Sequence, residues 1–259
     1  MRLPLTHTPF HVLPALVCAA ALASPCAGAQ SADLATKTEA QLGVSLSSYK
    51  YEEPSYMNLK ATVLGLDYSG TYAFGAQWPQ TNSAWFVQGD LRYANGKADY
   101  QSPISGSISG TPNWYMEARG LVGKDLNMGS YMLAPYIGLG YRHLYNNVGY
   151  TRDSYYTTLP IGVTHKMHLD DRSQLWTTVE YMHLLNGVQK TKLVTQNVSL
   201  DQHKGSGLRL SVMKRLEHWS MGPTLTYWRI NASDIAGSPP VLEPQNNTVE
   251  LGLKLAYRF

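Results

Sequence analysis

The chain has 259 residues, with 21 Lys and Arg against 18 Asp and Glu, which gives a formal net charge of +3 at pH 7. A balance so close to neutral, without a basic cluster, argues against nucleic acid as a partner. The aromatic residues are 18 Tyr and 6 Trp against 4 Phe. Tyr and Trp favour surfaces that are apolar at one end and wet at the other, so an interfacial role is indicated.

The first 29 residues are predicted to be a secretory signal peptide. Arg2 precedes a short apolar stretch from Phe10 to Ala23, and Ala27-Gly28-Ala29 fits a small-x-small cleavage site. The stretch is too short for a membrane-spanning helix. Residues 30–259 are then one exported domain.

Cleavage after about Ala29 removes both cysteines, Cys18 and Cys26. The mature chain would then carry no disulfide, thiolate metal site or cysteine nucleophile. A lipoprotein beginning at Cys26 is a less favoured alternative, because Pro25 stands where a small residue is expected.

Period-two segments broken by turn residues recur after the signal peptide and predict ten strands. Their approximate bounds are Glu39–Ser48, Thr62–Gly75, Ser83–Ala94, Asn113–Lys124, Ser130–Tyr145, Tyr155–Met167, Gln174–Leu185, Gly205–Arg215, Trp219–Ile230 and Val249–Phe259.

The last strand carries the clearest alternation. Val249, Leu251, Leu253, Leu255, Tyr257 and Phe259 share one parity, and the other parity is polar or small. Side chains alternate across a strand, so one face is wholly apolar. About ten such residues cross a membrane as a tilted strand.

The connections alternate between short and long along the chain. Short ones include Pro79–Asn82 and Asp170–Ser173, whereas Asn95–Pro112, Asn186–Lys204 and Asn231–Asn247 are long and polar. This alternation predicts an all-β, transmembrane, antiparallel up-and-down barrel of about ten strands, with eight as the alternative. Its long loops would be extracellular, and both termini periplasmic.

Three prolines conflict with this assignment. Pro135, Pro160 and Pro223 fall inside predicted strands, although proline cannot donate to a β-ladder. They are expected to mark bulges, strand ends or misplaced boundaries.

The parity opposite the apolar face holds charges of both signs and is predicted to line a lumen that a polar network largely plugs. The network is assigned to Asp90, Arg92, Glu117, Arg119, Arg142, Glu180, Arg209, Glu250 and Lys254, with Asp67 on the same parity. A narrow water path is the alternative.

Aromatic residues near strand ends on the apolar parity predict two interfacial girdles. These residues are Trp85, Tyr93, Trp114, Tyr131, Tyr141, Tyr227 and Tyr257. An aromatic platform for sugars is a weaker alternative.

Catalytic and metal-binding patterns are weak. His143 and His183 lie on the outward parity without a serine nucleophile on the same strand face, so they are interpreted as rim histidines. Asp201 and His203 form the best acid–histidine pair, within a predicted loop. Asp170-Asp171 lacks the ligand spacing of a calcium loop. No catalytic residue, metal or cofactor is predicted.

Three segments resemble the porin-family, outer-membrane β-barrel proteins of Gram-negative bacteria. They are Leu133–Arg142, Glu180–Gly187 and the ending Ala256-Tyr-Arg-Phe259. The resemblance covers residues from about Gln30 to Phe259 and implies the cell outer membrane as the location. It also implies that the barrel-assembly machinery reads Phe259, with Tyr257 as part of the same signal.

The family resemblance does not select one activity, because its members include adhesins, pores and a few enzymes. We expect a non-catalytic barrel whose long loops contact lipopolysaccharide or a host or surface ligand. A narrow porin for small solutes and a lipid-modifying enzyme of the outer membrane are the alternatives.

Overall fold

The computed structural model describes residues 34–74, 83–170, 172–193 and 196–259. The signal-peptide assignment and the Pro79–Asn82 turn therefore lie outside the described residues. Twelve strand segments make up most of the described residues: β1 (Glu39–Glu53), β2 (Met57–Phe74), β3 (Trp85–Ser102), β4 (Gly106–Lys124), β5 (Leu126–Asn127), β6 (Tyr131–Asn147), β7 (Thr151–Asp170), β8 (Ser173–Lys192), β9 (Asn197–Gln202), β10 (Gly205–Arg215), β11 (Trp219–Ile230) and β12 (Asn246–Arg258).

The twelve segments occupy ten strand positions. β4 and β5 both pair with β6, and β9 and β10 both pair with β8, so each couple is one interrupted strand. β12 pairs antiparallel with β1, and Phe259 exchanges two backbone hydrogen bonds of 2.9 Å with Ala40. The sheet therefore closes on itself, which confirms the predicted all-β barrel with ten strands rather than eight.

Each of the three prolines lies at an interruption of a ladder. Pro135 faces the break between β4 and β5, where pairing stops at Gly123 and resumes at Leu126. Pro160 lies where pairing of β6 with β7 is interrupted, and Pro223 lies where pairing of β10 with β11 is interrupted. The missing N–H groups therefore coincide with positions that the barrel leaves unpaired on one side.

The outward face of the barrel carries a continuous apolar band. Leu64, Leu139 and Leu253 are exposed by 60% or more of their surface. Eleven residues from Val249 to Phe259 rise about 25 Å at the usual tilt, the height of a bilayer's hydrocarbon band. Other members of the band are Leu42, Val44, Leu46, Leu66, Leu91, Ile137, Ile161, Val179, Leu208, Leu210, Leu251 and Leu255.

Above this band, away from the chain termini, the two faces of the wall exchange character. Lys50, Lys60, Lys97, Lys190 and Asp201 point outward and are exposed. The inward positions at this level are buried and mostly apolar or aromatic: Tyr49, Tyr51, Met57, Leu59, Val63, Ala94, Ala98, Tyr100, Tyr115, Leu144 and Val148. The strands thus extend beyond the apolar band as an ordinary water-facing β-barrel with its own core.

This extension corrects the prediction of long loops. Most of Asn95–Pro112 belongs to β3 and β4, which turn at residues 103–105. Most of Asn186–Lys204 belongs to β8 and β9. Inward Tyr100, Val198 and Leu200 are buried, so the hairpins are held by packing despite their Gly, Ser and Asn content. Asn231–Asn247 is mostly a loop, between Ile230 and Asn246.

Aromatic contacts mark both edges of the apolar band. At the upper edge Trp114 lies 6.1 Å from Tyr93 and 5.4 Å from Tyr145, measured between ring centroids. At the lower edge Tyr257 contacts Trp219 at 5.2 Å and Phe259 at 6.4 Å. Such belts lie at the two interfaces of a bilayer.

A charged side chain at the centre of the apolar band should lower the free energy of unfolding only if lipid covers the band. Leu253→Arg is expected to lower the free energy of unfolding in phospholipid vesicles by about 2–4 kcal/mol. Ser199→Arg, on the water-facing extension, is the matched control and should change it by no more than about 0.5 kcal/mol. Urea titration of the refolded proteins measures both values, and equal losses would contradict the placement of the band.

Candidate functional site

The inward parity of seven strand positions brings ten charged side chains into the lumen. The structure places all nine residues of the predicted network there, together with Asp67. Five are cationic and five acidic, so this set is neutral. They form two clusters that meet at Tyr115.

The first cluster joins β12 to β2, β3 and β4. Arg92 donates to Asp67 at 3.0 Å and to Glu250 at 2.6 Å. Tyr115 donates to Glu250 at 2.5 Å, and Lys254 lies 3.3 Å from Asp67. One guanidinium thus links strands on both sides of the β1–β12 seam.

The second cluster crosses the lumen. Arg119 donates to both oxygens of Glu180 at 2.7 Å and to Asp90 at 2.6 Å. Arg209 donates to Glu180 at 3.0 Å and to Glu117 at 2.6 Å. Since β4 and β10 lie four strand positions apart in a ring of ten, the Arg209–Glu117 pair spans most of the barrel's width.

Two further side chains complete the second cluster. Tyr136 donates to Glu180 at 2.8 Å. Arg142 lies 3.4 Å from Glu117 and 4.6 Å from the Tyr115 ring centroid, so it connects the two clusters. Glu180 is fully buried, and its carboxylate accepts from three donors, which offsets the cost of removing it from water.

A third charged cluster lies in the upper end of the lumen, above the apolar band. Arg152 donates to Glu53 at 2.5 Å and to Glu243, which the β11–β12 loop carries into the barrel. Tyr51 donates to the same two carboxylates at 2.9 and 3.1 Å. Burial raises the pKa of the Tyr51 phenol well above its ordinary value, so it remains a donor at physiological pH.

The region between these clusters is filled by aromatic side chains. Tyr49 stacks near Tyr115 at 6.4 Å, and Trp228 lies 5.7 Å from the guanidinium carbon of Arg142. Tyr156, Met182 and Leu184 pack around Trp228 on the opposite wall. This filling separates the polar lower lumen from the upper cluster.

The lower end of the lumen, nearer the chain termini, is closed by the segment before β1. Thr36 donates from its backbone N–H and its hydroxyl to Asp125, at 2.6 and 2.9 Å. Lys166 donates to Asp125 at 2.8 Å and to Thr36 at 2.5 Å. Asp125 is the residue that interrupts β4 and β5, so the strand break supplies the acceptor.

A second ion-pair group lies beside this closure. Glu39 pairs with Arg215 and, at 2.6 Å, with Arg258. Arg258 also donates to the carbonyl of Leu216 at 2.7 Å, which ties the last strand to the β10–β11 turn.

A cavity of about 240 Å³ lies in the lower lumen between the Thr36 segment and Tyr115. Its walls include Asp90, Arg92, Arg119 and Lys254, each of which already forms an ion pair within the lumen network. The space suits ordered water better than a charged ligand.

The candidate catalytic residues do not assemble into a nucleophile site among the described residues. His143 is 2.9 Å from Asp153 and stacks on Tyr155 at 4.4 Å, within the upper aromatic belt. His203 pairs at 3.0 Å with Asp234 rather than with Asp201, and both partners are exposed. His183 is an exposed outward residue of β8.

Metal sites and helical membrane spans are both missing from the part of the chain that the structure describes. No group of three or more His, Cys, Asp or Glu is arranged there to hold a metal. Asp170 accepts from the backbone N–H of Arg172 at 2.9 Å as an ordinary turn residue, and Asp171 is outside the described residues. No helix in these ranges has the length and apolarity needed to cross a membrane.

Sequence reasoning missed the residues that close the two ends. Glu53, Arg152 and Glu243 fell in predicted loops, and Thr36 precedes the first predicted strand. A usable signal for Glu53 and Arg152 was the continuing alternation beside them, with Tyr49, Tyr51 and Tyr156 on the same parity. Glu243 lies in irregular structure and has no such signal.

No protein-family model matches the sequence, and no curated protein matches it. Three solved structures similar to the chain are Neisserial surface protein A (8% identity, TM-score 0.39), Ail of Yersinia pestis (11%, 0.39) and the transport unit of the autotransporter AIDA-I from Escherichia coli (9%, 0.41). The matches cover 85%, 86% and 86% of this chain and 97%, 100% and 91% of those chains. The likeness concerns barrel architecture, and no function follows from it.

The buried position of Glu180 gives a sharp test of the lumen network. Glu180→Gln leaves Arg119 and Arg209 with one charged partner each and should lower the free energy of unfolding by about 3 kcal/mol. Glu217→Gln, in an exposed turn, is the matched control and should have almost no effect. Chemical unfolding in vesicles measures both, and a neutral Glu180→Gln would show that the pairs carry little net stability.

Proposed function

We propose that the chain is an integral outer-membrane barrel that does not conduct and has no catalytic role. The observation that carries this proposal is the occupied lumen. A neutral ion-pair network crosses it, aromatic side chains fill it above, and a separate polar cluster lies at each end. A channel needs polar groups that face water, whereas these charges face one another.

The outer surface of the barrel, rather than its lumen, supports the outer membrane as the proposed location. An apolar band of bilayer height, two aromatic edges and a closed sheet without a free edge suit a transmembrane barrel. The contact surface for a partner would be the extracellular extension formed by the β1–β2, β3–β4, β6–β7 and β8–β9 hairpins.

Planar-bilayer recording tests the closed lumen. The wild-type protein should insert without a stable conductance step. The double variant Tyr49→Ala/Tyr115→Ala removes two stacked rings from the aromatic filling and should produce small, discrete steps. The exterior variant Tyr72→Ala/Tyr93→Ala removes two rings from the outer wall and should remain silent. A steady wild-type conductance would contradict the proposal.

A narrow porin is the second candidate, and the cavity in the lower lumen favours it. Displacement of the Thr36 segment would open this cavity to the periplasm but would leave the aromatic filling in place. The recording above therefore separates the candidates. Mass spectrometry of lipid A from cells with and without the protein tests the enzyme alternative, and a changed acyl pattern would support it.

We also propose that the assembly machinery reads the aromatic end of β12. Tyr257 and Phe259 point outward at the lower edge of the band, with Phe259 67% exposed. Phe259→Ala keeps the backbone bonds to Ala40 but removes the ring, so it should reduce assembled protein in cells severalfold.

Phe259→Trp is the matched control for that experiment and should assemble normally. Unassisted refolding into vesicles should be similar for both variants, because the ring is mostly exposed and contributes little to packing. Equal levels of the two variants in cells would refute a signalling role for the ring.

A further inference from the structure

Like charges oppose each other on the outer wall just above the apolar band. Lys50 on β1 and Lys60 on β2 are direct cross-strand partners on the outward face. Lys97 on β3 faces Thr62 and is therefore the diagonal neighbour of Lys60 on that same face. Directly opposed side chains start only about 5 Å apart, and like charges there destabilise a sheet.

Nearby carboxylates neutralise only part of this patch of three lysines. Lys50 binds Glu52 at 2.5 Å. Asp99 is the cross-strand partner of Lys60, but its carboxylate accepts the backbone N–H of Gly110 at 3.2 Å. Among the described residues, neither Lys60 nor Lys97 forms an ion pair with a carboxylate, so these two ammonium groups on neighbouring strands can accept another anion.

The height of the patch indicates what kind of anion fits. Moving toward the periplasm, each of the three strands has one neutral polar outward residue and then an apolar one: Leu46 after Ser48, Leu64 after Thr62, and Tyr93 after Asn95. Lysine stems are long enough to bring their ammonium groups down to the edge of the band. The charges therefore lie at the level of lipid headgroups, directly above a surface for acyl chains.

We propose that Lys50, Lys60 and Lys97 bind the phosphate of a phosphorylated outer-leaflet lipid, with the acyl chains against Leu46, Leu64 and Tyr93. The site rests on the proposed membrane placement. A phosphate carries nearly two negative charges and accepts from several ammonium groups at once, which relieves the Lys50–Lys60 repulsion. A free phosphate would gain the charge contacts but not the apolar surface.

The test uses the mature protein in phosphatidylcholine nanodiscs that contain a small fraction of diphosphoryl lipid A. Native mass spectrometry counts the lipid A that stays bound. Lys60→Gln should weaken retention about fivefold, and Lys50→Gln/Lys60→Gln/Lys97→Gln more. The matched triple variant Lys190→Gln/Lys192→Gln/Lys204→Gln removes equal charge from the far wall and should retain lipid A like the wild type.

Thermal stability supplies an independent readout, because the stability difference between Lys60→Gln and the wild type should have opposite signs without and with lipid A. In phosphatidylcholine alone, Lys60→Gln should be slightly more stable than the wild type, because the repulsion is gone. With lipid A present the order should reverse, because only the wild type gains from binding. An unchanged order in both membranes would overturn the proposal.

Three further outcomes discriminate the sources of binding. Equal loss of lipid A in both triple variants would show diffuse attraction and overturn the site. Displacement of lipid A by inorganic phosphate at matched concentration would reduce it to a free-anion site and also overturn the lipid assignment. Failure of the variants and the wild type to insert into phosphatidylcholine would instead refute the membrane barrel itself.

Discussion

The need to pair charges inside a closed wall governs the rest of this structure. A ten-stranded barrel whose inward parity carries Arg and Glu cannot leave them isolated, because an unpaired buried charge costs several kcal/mol. Here each lumen carboxylate meets a cation on another strand, as when Glu180 accepts from Arg119 and Arg209. The interior is therefore held by long-range side-chain bonds in addition to the backbone ladders.

One set of strands forms two parts of the wall whose outer faces differ in polarity. In the lower part the apolar side chains point outward and the polar ones inward. In the upper part the order reverses, with lysines outside and Tyr49, Leu59 and Tyr115 inside. The reversal needs no change of secondary structure, since period-two alternation allows either face to be apolar. The same strand can thus present an apolar outer face at one end and a polar outer face at the other.

Alternation explains why much of the fold was predictable from sequence. The parity of β12 and the outward positions of most strands follow from period two alone, and so does the inward placement of Arg92, Arg119 and Glu180. The partners of these charges were not predictable, because Arg209 meets Glu117 only through the register of four intervening ladders.

Two loop predictions that were based on amino-acid composition rather than on alternation were wrong. The stretches Asn95–Pro112 and Asn186–Lys204 have the Gly, Ser and Asn content of loops, yet buried Tyr100 and Leu200 keep them in strands. Thr36 and Glu243 lie outside regular structure, so their roles depend on tertiary contacts that no local pattern encodes.

The β1–β12 seam shows what the lumen charges add to the specificity of the fold. Leu46 pairs with Leu253, and Leu251 and Leu255 flank that position on the same face. A slip of two residues would place leucine opposite leucine again, so hydrocarbon could not distinguish the wrong alignment from the right one. Glu250 and Lys254 would, however, move away from Arg92 and Asp67 by about 7 Å. The lumen charges therefore select the native register, which the apolar outer face alone does not distinguish from the slipped one.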